Sequence, residues 1–181
     1  MELSKYIACI CEGTAERVII DLLLDNDKLI FSREDLLEHE IIRCRNAKKF
    51  EEQYLRKGFT EQITVLRILD SRREKFRLSK AYVDKVKVIN VITAPEIEML
   101  VIHNENKYSD YKSSGMKPSE YCMAELKYSD VKSEAFVKEY FANVDVLVAA
   151  IREYKRVAKV QRNEITIADI ARLEEKTIRV F

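Results

Sequence analysis

Glycine and proline are scarce in this chain of 181 residues, with three of the first and two of the second. Gly13, Gly58 and Gly115 stand alone, so neither a Gly-rich phosphate loop nor a dinucleotide fingerprint is present. Pro95 and Pro118 are equally isolated, which removes the Asn/Asp-Pro-Pro-aromatic element of an adenine methyltransferase. No G-x-S-x-G occurs, so a Ser-His-Asp hydrolase lacks its nucleophile elbow. The four cysteines form no C-x-x-C pair, and His39 and His103 have no cysteine at ligand spacing, which argues against structural zinc. Cys9, Cys11, Cys44 and Cys122 therefore read as reduced, small core hydrophobes. No apolar run is long enough to cross a bilayer, and Met1-Glu2-Leu3-Ser4-Lys5 begins no signal peptide. The expectation is a cytoplasmic protein with no membrane partner.

What is present suits one globular domain, or one domain with a helical extension: 47% of the residues are hydrophobic and 35% charged. The net charge of +1 hides an uneven distribution. Residues 1–42 carry ten acids and four bases, whereas residues 43–87 carry fourteen bases and six acids. A basic middle segment points to a phosphate-rich partner, with solvated helix faces as the plainer reading.

Strand and helix patterns alternate through the first half. Residues 6–11 read as a buried strand and 14–24 as an amphipathic helix, with Gly13 a tight turn and Thr14 its N-cap. Residues 40–44 read as a second short strand, 48–56 as a helix ending near Gly58, 63–69 as a third strand, and 85–92 as a fourth. This order implies an α/β fold with a mainly parallel sheet of about four strands flanked by helices. Pro95 begins a helix over 95–103, near N1 where its missing N–H costs nothing. The division is an α/β domain at 1–103, a polar linker at 104–118, and a helical extension at 119–181. Helices are expected at 119–127, 133–141, 144–159 and, more weakly, 168–176; residues 177–181 suit either a strand or a frayed tail.

Two acids end strands of this sheet, Glu12 after the first and Asp70 after the third. Open parallel sheets place ligands at the carboxyl ends of their strands. Two convergent carboxylates there suit Mg²⁺ or Mn²⁺, which take oxygen ligands and keep waters that a phosphate can displace. The plainer reading makes Glu12 a helix-dipole partner and Asp70 the start of a turn. Glu16, one turn into the first helix, and Glu98, on the helix after the fourth strand, are further candidates. Glu74 is close to Asp70 in sequence, but its loop is unconstrained. Arg72, Arg73, Lys75 and Arg77 bracket Asp70 and would position nucleic acid through its phosphates. Arg67, inside a strand, suits a carboxylate partner or the sheet edge instead. Tyr108, Tyr111 and Tyr121 suit base stacking or, more simply, half-buried anchoring.

An apolar strand ending in Cys11-Glu12-Gly13-Thr14-Ala15-Glu16, followed by a strand ending in Asp70, resembles the Rossmann-like TOPRIM domain of topoisomerases, primases and OLD-type nucleases. Thr93-Ala94-Pro95-Glu96-Ile97-Glu98-Met99-Leu100-Val101-Ile102-His103 is similar to the P-x-[FI]-E, aliphatic run and histidine of RloB-like proteins. Those are small TOPRIM proteins linked to restriction and phage defence that also end in a helical region. The resemblance implies that Glu12 is a general acid/base or metal ligand and that Asp70 binds metal. Asp70-Ser71-Arg72 departs from the pattern, placing an arginine where a second aspartate belongs; that guanidinium would oppose a second cation but could grip a phosphate. The histidine spacing after Glu98 is one residue short of the pattern.

Three functions follow as expectations. The first is a Mg²⁺-dependent nuclease or phosphotransfer protein of defence type, with Glu12, Asp70 and Glu16 catalytic and Glu12, Asp70 and Glu98 holding metal. Such proteins commonly accompany an ATPase partner. The second is a catalytically silent nucleic-acid-binding module on the same fold. The third is an interaction protein whose helical half docks a partner or forms a homodimer through the apolar run 144–151, although that run reads more simply as core.

Overall fold

The computed structural model describes residues 2–56, 59, 61–73, 75–162 and 164–173. Gly58, Glu74, residues 174–176 of the last expected helix and the whole of 177–181 lie outside them. Four parallel strands form one sheet in the order β1-β2-β3-β4: β1 Tyr6–Cys11, β2 Ile63–Leu69, β3 Val86–Ile92 and β4 Glu164–Ile165. Among the described residues seven α-helices flank it: α1 Thr14–Asp25, α2 Ala47–Phe50, α3 Glu96–Asn104, α4 Tyr108–Ser114, α5 Pro118–Ala124, α6 Glu134–Tyr140 and α7 Val144–Lys155. The fold is α/β.

The alternation of side chains along each strand separates two cores. Ile7, Cys9 and Cys11 of β1, with Leu66, Ile68 and Val91, face one large cluster that also holds the buried residues of α1, α3, α5, α6 and α7. Ala8, Ile10, Ile63, Val65 and Val86 face the other side, covered by Leu37, Ile42, Phe50 and Leu55. Helix α1 presents Ala15, Val18, Ile19 and Leu23 to the first core at helical spacing. Each fully buried leucine or isoleucine there contributes about 1.5–3 kcal/mol.

The scarcity of glycine shows at the helix ends. Lys28 N donates to Leu23 O at 2.8 Å and Asp27 N to Leu24 O at 3.1 Å, closing α1 with Asp27 at φ 56°. Asn106, at φ 56°, does the same for α3. Short polar side chains thus take the left-handed position that glycine usually fills.

Several sequence expectations change. Residues 40–44 form no strand; Ile42 makes one bridge to Ile10 at the β1 edge, through bonds to Cys9 O and Cys11 N. Glu38 and His39 both have positive φ, which bends the chain just before that contact. The fourth strand is β4, a two-residue piece beside Asn90 and Val91. The 48–56 helix is α2 continued by a π turn, Glu51–Leu55. Gly13, not Thr14, is the N-cap of α1, and Pro95 is the N-cap of α3 rather than N1. Residues 104–118 contain helix α4, closed by Gly115 at φ 70°. The weak helix expected from 168 begins as a single 3₁₀ turn, Ile167–Asp169. The run 144–151 is core: Leu147, Val148, Ala150 and Ile151 are buried. No helix among the described residues is long and apolar enough to cross a membrane.

Candidate functional site

Glu12 leaves β1 with its amide 3.4 Å from Ile68 O, at the carboxyl edge of the sheet. Its carboxylate meets a partner that the sequence did not assign. Arg67 Nη2 donates to Glu12 Oε1 at 2.9 Å, and both side chains are only 2% exposed. Arg67 stands in β2 between Ile10 and Asn90, and its guanidinium lies 4.9 Å from the centre of the Phe76 ring. Two ions so fully desolvated are held together by geometry, and removing either one leaves a costly buried charge.

Glu16 projects from the first turn of α1 and is 2% exposed. Its carboxylate folds back over Gly13, where a Cβ would sit 1.9 Å from Glu16 Oε2. A side chain at position 13 would push the Glu16 carboxylate out of this place, and the backbone there is not left-handed, since its φ is −98°. Burial raises the Glu16 pKa and the charge of Asp70 raises it further; its own amide, Lys132 and the Thr93 hydroxyl pull the other way. Thr93 Oγ1 donates to Leu69 O at 3.0 Å and lies 3.3 Å from Glu16 Oε1, tying the end of β2 to α1. Asp70 is exposed at that strand end. Glu98, in the first turn of α3, pairs through Oε1 with Lys132 Nζ at 3.3 Å, while its buried Oε2 has no hydrogen-bond partner.

A cavity of about 310 Å³ opens at Glu12, lined by Cys11, Glu12, Gly13, Thr14, Arg43, Cys44 and Arg45. Arg45 Nη2 donates to Glu12 O at 2.8 Å, so the exposed Arg45 side chain is anchored at the cavity wall. The first turn of α1 presents a positive dipole end to the same space. Neither Arg43 nor Arg45 belonged to the expected set, because nothing in a sequence tells that residues 43–45 return to the β1 edge.

The chain matches no known family model, no curated protein and no solved structure.

The expected phosphate contacts divide. Arg72 is bound to the protein itself, with Nε 2.9 and 3.0 Å from the two Glu164 carboxylate oxygens. Arg73, Lys75 and Arg77 are exposed, with Phe76 between them packed on Phe50 at 5.8 Å. The loop thus crosses the second face of the sheet, turning its cations outward. Tyr108, Tyr111 and Tyr121 pack on one another, and Tyr108 stacks on His103 at 4.6 Å, so they serve as anchors. All four cysteines are buried and unpaired. Glu96, outside the expected set, is fully buried with no hydrogen-bond partner for either carboxyl oxygen. Burial pushes its pKa up to about 8, aided by Asp169 and opposed by the nearby Ile167 amide, which does not close a bond of normal geometry.

Proposed function

We propose that the chain is a TOPRIM-type protein, similar to the RloB-like defence group, that acts on phosphodiesters of nucleic acid with Mg²⁺ or Mn²⁺. One observation carries the reading: the carboxyl edge of the parallel sheet bears Glu12 at a cavity walled by Arg43 and Arg45, with exposed Asp70 at the end of β2 and its charge felt by buried Glu16. Two carboxylates whose charges oppose each other suit a hard cation. No three Asp, Glu, His or Cys side chains converge on one point among the described residues. A single ion on Glu16 and Asp70 would depend on water and substrate phosphate to complete its shell, as Mg²⁺ commonly accepts. Such an ion would supply Lewis-acid polarisation of a phosphoryl oxygen.

The protein's own groups have separable tasks. Arg43 and Arg45 hold a phosphate at the cavity wall, where guanidinium geometry matches its oxygens. Glu12, fixed by Arg67, keeps a defined orientation at the cavity floor. Arg73, Lys75 and Arg77 contact phosphates farther along a strand without reading its sequence.

Calorimetric titration of Mn²⁺ into wild type, Glu16→Gln and Asp70→Asn tests the site. Heat in wild type that vanishes in both variants is the expected result; identical heats in all three would sink the reading. Cleavage of labelled RNA and DNA oligonucleotides with Mn²⁺, lost on adding EDTA, extends it to the reaction.

A second reading, a silent nucleic-acid-binding module, is favoured by two ion pairs. Arg67 already neutralises Glu12, and Arg72, where the pattern has its second aspartate, is engaged by Glu164. Oligonucleotide affinity that falls steeply with salt and drops on Lys75→Glu/Arg77→Glu, with no cleavage, would select it. The ATPase partner belongs to the resemblance, and light scattering across a concentration series tests the homodimer.

A further inference from the structure

The edge of the sheet opposite the carboxylates carries a second cavity, of about 300 Å³. It lies at the amino ends of β2 and β3, where Ile63 and Val86 pair. Buried Leu55, Ile63 and Val86, all members of the second core, line it. Phe59 and Tyr82, half-buried against the same core, add their aromatic rings. The Tyr82 wall is held by backbone bonds. Lys85 N and Val86 N donate to Tyr82 O at 3.0 and 3.1 Å, and Ile63 N donates to Lys85 O at 3.2 Å. A concave, mainly apolar hollow of this size, with a few polar groups at its rim, is the ordinary form of a small-molecule site.

Charge at the mouth decides what the cavity takes. Arg56 and Lys85 are exposed on its lining, and the Lys85 ammonium has no protein partner among the described residues. Arg56 is held only loosely by Glu52, at 3.8 Å. The carboxylate on the lining, Glu61, is already taken by Lys5 Nζ at 3.3 Å. Beyond Phe59 and Glu61 the next hollow is bordered by Glu34 and Glu38, so an anion is turned from that side toward the two cations. Aromatic walls favour a planar ring in the apolar part, packed offset or edge-on against them.

We propose that this cavity binds a small aromatic carboxylate, its ring against Leu55, Ile63 and Val86 and its anionic group toward Arg56 and Lys85. Covering the ring removes apolar surface from water on both partners, and the two cations supply the preference for an anion. The site does not depend on the metal-dependent reading, because it lies at the amino ends of the strands and uses none of the residues at their carboxyl ends. An occupant touches the π turn, β2 and the turn before β3 together, so it stabilises the native chain by mass action.

The test titrates the full chain with 2-naphthoate, and with 2-naphthamide as the uncharged probe, by calorimetry. The carboxylate should bind at one site per chain, about tenfold more tightly than the amide, the scale of one partly screened ion pair. Lys85→Glu should weaken 2-naphthoate by about tenfold or more and leave 2-naphthamide unchanged. Ala81→Trp, which sets a large ring at the exposed rim, should abolish binding of both probes. Both substitutions fall at exposed turn positions, and circular dichroism that matches wild type checks that the variants fold. No saturable 2-naphthoate binding, or binding that survives Ala81→Trp, overturns the site. Equal affinity for carboxylate and amide, or indifference to Lys85→Glu, overturns the proposed ligand class.

Discussion

At the scale of single residues, buried charge decides more than the expected carboxylates do. Arg67→Met leaves Glu12 desolvated without its 2.9 Å partner, and urea denaturation should show a loss of about 3–5 kcal/mol. A loss within experimental error would mean that the pair contributes nothing. Glu96 sets a pH dependence of definite sign. Its folded pKa, about 8, lies above the ordinary 4.5, so the native state binds the extra proton between those values. The favourable protonated state is fully present below pH 4.5, and its contribution is lost as pH rises toward about 8. Glu96→Gln should flatten that dependence and stabilise the protein at pH 8 by on the order of a few kcal/mol. Parallel denaturation curves at pH 5, 6.5 and 8 measure it, and equal slopes for wild type and variant would count against the assignment. The sequence marked Arg67 as suited to a carboxylate partner or the sheet edge without saying which carboxylate, and it gave no sign that Glu96 would be buried.

At the scale of elements, strands and helices with internal periodicity were legible, and those completed by their neighbours were not. β1 and β2 occupy the expected residues because apolar runs buried on both faces need no outside information, and β3, half-exposed at its middle, starts one residue later than expected. β4 has only two residues and no pattern to find; it exists because β3 offers Asn90 and Val91 and because Arg72 grips Glu164. Arg72→Ala should therefore speed amide exchange at 164–165 several-fold, as expected for a partly exposed ion pair of about 1 kcal/mol or less. Exchange that is unaltered there would show that β4 holds without the arginine. Residues 40–44 failed for the opposite reason, since two consecutive isoleucines suit a strand but positive φ at Glu38 and His39 allows only one bridge.

At the scale of the whole molecule, one core joins the two halves of the chain. It runs from Ile7 to Ala171 and includes α1, α3, α5, α6 and α7. Backbone bonds close it as well, with Ile30 N to Ile170 O at 2.9 Å and Arg172 N to Lys28 O at 2.7 Å. Thermal unfolding should be a single transition, with far-UV circular dichroism and tyrosine fluorescence giving coincident midpoints. Separate midpoints would show that the helical half melts on its own. The same packing delivers Lys132 to Glu98, which a helical half folding independently could not guarantee.

By itself, the amino-acid sequence determined the class of fold, the strand ends that carry Glu12 and Asp70, and the helix that carries Glu16. These depend on periodicity and caps within about ten residues, where chain entropy is small and local pattern suffices. The tertiary structure alone decided which charges meet. Glu12 finds Arg67 across 55 residues and Arg72 finds Glu164 across 92, through strand register and crossover packing. Ionic partners are chosen by where the backbone brings them, and in water most cations and carboxylates are interchangeable until burial makes one pairing indispensable.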